Sequence, residues 1–211
     1  MITTTALERN AAGGDADAQF RLAYRCRFCR DRGKRDLRRA FQLWREAATS
    51  GHTRAQFYLG VCYDFGIGTK VNRKAAMAAY RLAARKGHEV AQYNLSRGYR
   101  EGHGVPRQLK HSIAWLRKSA EAGYVEAMLD LGYCLHEGIG IRVKYAEAVA
   151  WYRKAALMGH PKAQWNLALC YLAGEGVRVA RRSATALIKR AAAQGHRAAK
   201  SWISRQSKIA P

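Results

Sequence analysis

A glycine followed by histidine or tyrosine returns along this chain at a strict spacing of 36 residues. The pairs are Gly51-His52, Gly87-His88, Gly123-Tyr124, Gly159-His160 and Gly195-His196. A fixed period of this size is the signature of a repeat array, in which each unit buries its apolar side by stacking on its neighbours. The chain is therefore expected to form one continuous array.

Each copy of the repeat has the same internal order. A small residue stands four positions after the glycine and a leucine follows four positions later, which places both on one face of a helix. Two glycines separated by one residue then interrupt the pattern, as at Gly66 and Gly68. Such a pair ends a helix and allows a left-handed turn. A second helix with a bulky pair, for example Trp151-Tyr152, ends in a tight turn with a glycine as its C-cap.

These columns resemble the Sel-one-like repeat (SLR) family, a relative of the tetratricopeptide repeats. The matching positions are Ala55, Leu59, Gly60, Tyr63, Gly66 and Gly68 in one copy, and Ala163, Leu167, Tyr171, Gly174, Gly176 and Val177 in another. The resemblance covers roughly residues 14 to 206. It implies an all-α fold, a right-handed α/α superhelical solenoid of antiparallel helix pairs, with the first helix of each pair (helix A) lining the concave side. Family members act mainly as adaptors for other proteins.

The repeat phase divides the chain into an N-terminal cap at 1–13, a divergent first repeat at 14–50 and four regular repeats. The regular repeats are 51–86, 87–122, 123–158 and 159–194, and residues 195–211 are expected to be a capping helix and tail. The first repeat lacks the paired glycines and has one extra residue in the segment from Cys26 to Asp36.

The charge is strongly unbalanced, with 38 Lys and Arg against 15 Asp and Glu, a net charge of +23. This excess predicts an anionic partner. The sequence contains neither an apolar signal segment nor a run of about 18 apolar residues, so we expect a reducing cytoplasmic location and no membrane span. Cys62, Cys134 and Cys170 share one helix A column, which predicts buried small residues and no disulfides.

By analogy with tetratricopeptide packing, three helix A columns are predicted to face a concave groove. Aromatic, arginine and histidine side chains in these columns are the candidate partner-binding residues: Phe20, Tyr24, Arg27, Phe57, Tyr93, Arg97, Arg100, Tyr133, His136 and Trp165. Aromatic and arginine side chains supply most anchors of protein interfaces, and they also stack on nucleic-acid bases. The alternative is that the aromatic column packs between neighbouring repeats.

Nothing in the sequence supports catalysis, a cofactor or a metal. Cys26-x-x-Cys29 is half of a zinc ligand set without a second pair, so two isolated thiols are the preferred interpretation, with metal or redox work as the alternative. The histidines that follow the repeat glycines are too far apart to share one metal and are interpreted as turn residues. His103, His111 and His136 have no matching carboxylate or nucleophile in the sequence pattern. No nucleophile and base pair, phosphate loop or HExxH motif is present.

Two basic runs are candidate anion-binding sites, with a solvated surface as the alternative: Arg30, Arg32, Lys34 and Arg35, and Arg181 and Arg182. The sequence thus predicts a non-enzymatic scaffold that binds an acidic protein partner in its groove. An immunity-type role, in which the partner is a toxin or effector, is a specific version of this hypothesis. The alternative is a protein that binds nucleic acid through its basic surface.

Overall fold

The computed structural model describes residues 4–28 and 35–209, and every regular element in these ranges is an α-helix. The helices are α1 (Thr4–Ala12), α2 (Ala16–Phe28), α3 (Leu37–Thr49), α4 (Thr53–Phe65), α5 (Arg73–Arg85), α6 (Glu89–Glu101), α7 (Leu109–Glu121), α8 (Val125–Glu137), α9 (Tyr145–Leu157), α10 (Pro161–Ala173), α11 (Arg181–Ala193) and α12 (Arg197–Ile209).

The helices divide into two compact units, Met1–Gln108 and Leu109–Pro211. In the first unit consecutive helices from α1 to α6 pack on one another, and in the second unit consecutive helices from α7 to α12 do the same. Within each unit the two helices of a repeat therefore pack together, as α4 does with α5 and α8 with α9, which the repeat pattern predicts. The all-α solenoid of antiparallel helix pairs is confirmed.

Small and bulky columns together form the core of each pair. The small residue of each helix A is fully buried, at 0% exposure for Ala55, Ala91, Ala127 and Ala163. The bulky residue of helix B packs on a glycine of helix A, as Tyr80 does on Gly60 and Tyr152 on Gly132, and both tyrosines are 2% exposed. In the first pair Trp44 fills the same role at 0% exposure, so the divergent repeat keeps a regular core.

The two glycines of each pair have different structural roles. The first glycine ends helix A in the left-handed conformation, as Gly174 does with φ +77°. The second lies directly against the start of helix B in the preceding repeat. A Cβ atom on Gly176 would lie 2.3 Å from the Tyr145 carbonyl carbon, and one on Gly104 would lie 2.3 Å from the Arg73 oxygen. The second glycine is therefore a stacking contact as well as a turn residue.

The tight turn after helix B has a defined geometry. Gly51, with φ +84°, follows the C-cap residue Ser50, so the glycine lies one position beyond the predicted cap. The backbone N–H of His52 donates to the Ala47 oxygen at 3.0 Å, which closes a Schellman-type turn. This turn leads directly into the next helix A.

Cys62, Cys134 and Cys170 are buried free thiols, which confirms the prediction for their column. Among the described helices, none is long and apolar enough to cross a membrane.

Candidate partner-binding surface

The histidines that follow the repeat glycines cap the helices that they precede. The Nδ1 atoms of His52, His88 and His160 accept the backbone N–H three residues later, at 3.1, 3.3 and 3.4 Å. His196 makes the same bond at 3.3 Å. Because Nδ1 is the acceptor, the neutral ring carries its proton on Nε2. The turn interpretation is confirmed, and the capping bond is an addition that the spacing alone did not reveal.

The aromatic column of helix A packs on these capping histidines. The ring of Phe20 stacks on His52 with centroids 4.8 Å apart, and Phe57 stacks on His88 at 4.5 Å. Trp165 lies 5.5 Å from His196. At these positions the aromatic side chain packs between neighbouring repeats, which is the alternative to groove binding for this column. Phe20 is 3% exposed, whereas Phe57 and Trp165 remain half-buried.

The second predicted column faces solvent. Tyr24 and Tyr133 are 40% and 48% exposed, and Arg97 is also exposed. The third column is intermediate, with Arg27, Arg100 and His136 half-buried. Tyr93, in the first column, is half-buried as well. Tyr133, His136 and Trp165 belong to the second unit, and the other predicted residues belong to the first.

One group of rings in the first unit combines exposure with close packing. Tyr24 and Phe28, at the end of α2, lie 4.5 Å apart, and both approach the ring of Tyr58 on α4 at 6.0 and 6.4 Å. Tyr58 in turn stacks on the buried Trp44 at 4.7 Å. Phe28 is 44% exposed. We call the surface formed by Tyr24, Phe28 and Tyr58 the aromatic face.

Arginines border the aromatic face. The guanidinium of Arg27 lies 4.8 Å from the centre of the Phe28 ring, and that of Arg54 lies 4.6 Å from Phe20. One nitrogen of Arg27, Nη1, is buried and has no hydrogen-bond partner among the residues that the structure describes. Burial raises the pKa of Tyr58, so its hydroxyl is a neutral donor. The face therefore presents flat apolar rings beside positively charged donors.

A cavity of about 500 Å³ opens beside the aromatic face. Its lining residues are Leu7, Asp17, Phe20, Arg21, Tyr24, Arg25 and Arg54. The lining holds three arginines against one carboxylate, Asp17, which pairs with Arg21 at 2.7 Å. A volume of this size admits one or two side chains of a partner, and its charge favours carboxylates.

Arg97 and Arg100 on α6 lie elsewhere in the first unit. Each guanidinium lies 3.6 Å from the carboxylate of Glu101. Arg97 also lines a smaller cavity of about 270 Å³, together with Asp64 and His103. The lining of this smaller cavity holds two arginines and two carboxylates, so its charge is more evenly balanced than that of the cavity beside the aromatic face.

The predicted anion-binding residues are only partly described. Arg35, Arg181 and Arg182 are exposed, whereas Arg30, Arg32 and Lys34 lie outside the described residues, as does Cys29. Arg181 and Arg182 occupy the first turn of α11, which contains no acidic residue. Cations are disfavoured at this end of a helix, so an anion would be stabilising there.

Two sets of residues were missed by the sequence analysis. Gln19, Gln56, Gln92 and Gln164 form a buried column whose amides donate to the oxygens of Ala11, Ala48, Ala84 and Ala156, at the end of the preceding helix. The 36-residue period could have revealed them, because each follows the small-residue column directly. His136, Cys170 and Glu175 also come together, with ligand atoms within 4.8 Å of one another.

The comparisons with known proteins agree with this architecture. A family model described as the Sel1 repeat matches residues 16–52, 53–88, 90–124, 125–160 and 161–196. No curated protein matches the chain in sequence.

Solved structures with the same fold come from several bacteria. A Sel1 repeat protein from Oxalobacter formigenes is 31% identical with a TM-score of 0.85, over 96% of this chain and 58% of that one. A protective antigen of uropathogenic Escherichia coli with an SLR fold is 30% identical with a TM-score of 0.69, over 94% of this chain and 50% of that one. The chain thus spans 58% of the length of the first protein and 50% of the length of the second. An immunity protein from Pseudomonas aeruginosa is 21% identical with a TM-score of 0.51, over 87% of this chain and 67% of that one.

Proposed function

The chain belongs to the Sel1 repeat family, and from that premise we propose that it is a non-enzymatic scaffold that binds an acidic segment of a partner protein on its aromatic face. Proteins of this fold generally act by presenting helix surfaces to other proteins. The proposal assigns the binding to α2 and α4 of the first unit, where the exposed rings and the arginines lie side by side.

The observation that carries the proposal is the exposed pair Tyr24 and Phe28 beside Arg27. The exposed rings pack on Tyr58, which itself stacks on the buried Trp44, so they lose little conformational entropy on binding. Tyrosine and arginine are enriched among the residues that dominate interface energies. The guanidinium of Arg27, which lies 4.8 Å from the centre of the Phe28 ring, is a positively charged donor for a partner's carboxylate. Binding there would combine ring contacts with a charge-assisted hydrogen bond.

The acidity of the partner is inferred from charge. A net charge of +23 attracts anionic surfaces over long range and raises their association rate. The three arginines that line the 500 Å³ cavity give that attraction a local target.

A specific version of the proposal is an immunity-type role, in which the partner is an acidic toxin or effector. Immunity proteins from Pseudomonas aeruginosa are among the solved structures that share the fold. This version predicts a tight complex of one chain with one partner that persists at moderate salt.

Nucleic acid is the second candidate partner, and the net charge favours it. Binding through phosphates releases counterions, so affinity would fall steeply with salt and would not require the aromatic face. The same experiment separates the two candidates.

The test is a pull-down from the native lysate at low and high salt, with and without nuclease, using the wild-type chain and a Tyr24→Ala/Phe28→Ala variant. A discrete acidic protein that survives nuclease and salt, and is lost with the variant, is the expected result. The matched control is Phe65→Ala, because Phe65 is 69% exposed at the other end of α4 from the cavity residue Arg54. Recovery of nucleic acid alone, lost at high salt, would favour the second candidate. If the Tyr24→Ala/Phe28→Ala variant recovers as much of the acidic protein as the Phe65→Ala control does, the assignment to the aromatic face is contradicted.

A further inference from the structure

The second unit brings a histidine, a cysteine and a glutamate together between two consecutive helix pairs. His136 lies in the last turn of α8, Cys170 lies near the end of α10, and Glu175 follows Gly174, the C-cap of α10. An imidazole nitrogen, the thiol sulfur and a carboxylate oxygen all lie within 4.8 Å of one another. We propose that these three side chains form a zinc site that links the α8–α9 pair to the α10–α11 pair.

The geometry needs only small adjustments to hold the ion. A tetrahedral zinc ion with bonds of about 2.0–2.3 Å separates its ligand atoms by roughly 3.3–3.8 Å. His136 Nε2 lies 2.8 Å from Glu175 Oε2, so these two atoms must move apart slightly. The three ligand atoms together lie within 4.8 Å of one another, so the ion needs only small shifts of the side chains. The side chains of His136 and Glu175 are 24% and 40% exposed, which leaves them free to adjust. Cys170 is held in the core at 2% exposure.

A further carboxylate orients the histidine. His136 Nδ1 lies 2.8 Å from Glu137 Oε1, and the ring also packs edge-on against Tyr145 with centroids 5.1 Å apart. Histidine ligands of zinc typically donate their second ring N–H to a carboxylate, which fixes the ring and makes the ligating nitrogen more basic. This arrangement is already present, with Nε2 2.8 Å from Glu175 Oε2.

The donor set favours zinc among the common divalent ions. One nitrogen, one sulfur and one carboxylate oxygen is a mixed set that suits zinc, whereas magnesium and calcium prefer oxygen alone. Three protein ligands leave the fourth tetrahedral position for water or for a partner's carboxylate. Burial raises the pKa of the Cys170 thiol to about 11, so the ion would displace the thiol proton to solvent as it binds.

The complete ligand set is specific to this junction and is not imposed by the repeat. In the first unit the equivalent positions hold Arg27, Cys62 and Ile67 at one junction and Asp64, Gly98 and His103 at the next. Neither set offers three ligand side chains. The buried cysteine belongs to the repeat, and the histidine and glutamate are particular to the α8–α10 junction.

The test is a zinc titration of the untagged full chain after removal of metal with a chelator, in a Cys26→Ser background that breaks the other cysteine pair. We expect one tightly bound zinc ion per chain. His136→Ala, Cys170→Ser and Glu175→Gln should each weaken binding by about 100-fold or more, because the loss of an orienting group alone costs about 10- to 100-fold. Glu137→Gln should weaken it by about 10- to 100-fold. Cobalt in place of zinc should give a sulfur-to-cobalt charge-transfer band that Cys170→Ser abolishes.

The matched control is Cys134→Ser, which removes a buried thiol from the same column one repeat earlier. It should keep both the zinc affinity and the cobalt band. His136→Ala and Glu175→Gln change partly exposed side chains, so they report on the site even if Cys170→Ser fails to fold. Absence of a tightly bound zinc ion in the Cys26→Ser background would overturn the proposal. So would equal affinities for the Cys134→Ser chain and the His136→Ala and Glu175→Gln chains.

Discussion

Three equivalent positions of the repeat carry different chemistry in the two units. In the first unit they hold Arg27, which lies over Phe28 and Trp44, together with Cys62 and Ile67 of the next repeat. In the second unit they hold His136, Cys170 and Glu175. Both cysteines are buried, and burial raises the pKa of Cys62 to about 12, so the cysteine is a feature of the framework. The polar residues around it decide whether the junction borders an aromatic face or a metal site.

The framework around these positions is nearly constant between the units. Ala55 and Ala163 are both fully buried, and Gly104 and Gly176 both lie against the start of the preceding helix B. Binding chemistry can therefore change at a few columns without disturbing the fold. The predictions below test this separation, beginning with the largest expected effect.

Moving the ligand set into the first unit should create a second zinc site. An Arg27→His/Ile67→Glu variant would place histidine and glutamate around the existing Cys62. We expect zinc binding to rise by one ion per chain in the titration described above. The position after residue 27 is Phe28 and not a glutamate, so the new site should bind about 10- to 100-fold more weakly than the α8–α10 site.

The control for the transplanted site is the same double variant with Cys62→Ser. This chain should return to one zinc ion. If the double variant binds no additional zinc although it is folded, the columns are not interchangeable and the comparison between the units fails.

Gly176→Ala should strongly destabilise the stacking of repeats. The alanine would need a left-handed backbone, at about 1–2 kcal/mol, and its Cβ would overlap the Tyr145 main chain. We expect a loss of more than about 3 kcal/mol in urea unfolding. Gly159→Ala has a similar φ of +86° but meets nothing within 4 Å, so it should lose only about 1–2 kcal/mol. Equal losses for both variants would show that the Gly176 contact does not stabilise stacking.

The fold could be predicted because its determinants repeat within the sequence. Each capping glycine and each buried alanine returns with the 36-residue period, so even a divergent copy can be assigned. The sites lack this redundancy. The sequence pattern shows no carboxylate partner for His136, because Glu175 lies 39 positions further along and approaches it only because α8 and α10 both pack on α9. The aromatic face was missed in part for a similar reason, since Phe28 and Tyr58 stand outside the three predicted columns.

Reversing Arg97 and Arg100 to glutamate tests how far the binding surface extends beyond the aromatic face. Opposite charge at the edge of an interface mainly slows association, so we expect the association rate with an acidic partner to fall by about 10-fold at low salt. The control is Lys74→Glu/Arg85→Glu on α5, which changes the net charge equally at exposed positions on helix B. The association rates of both double variants would be measured at two salt concentrations. Equal rates for the two double variants would mean that overall charge, and not the helix A surface, attracts the partner.

The smallest predicted effect concerns the capping histidines. Burial lowers the pKa of His88 in the folded chain below its ordinary value of 6.5, and nearby Arg54 adds to this effect while Glu89 opposes it. As the pH falls below about 6.5, the unfolded chain therefore binds more protons than the folded chain. The free energy of unfolding is highest above that pH and decreases below it. His88→Asn keeps a capping acceptor that does not titrate, so it should match the wild type at pH 8 to within about 1 kcal/mol. It should lose less stability than the wild type between pH 7 and pH 5, as measured by urea unfolding at each pH. Parallel pH profiles for the two chains would show that the cap at His88 does not depend on the neutral imidazole.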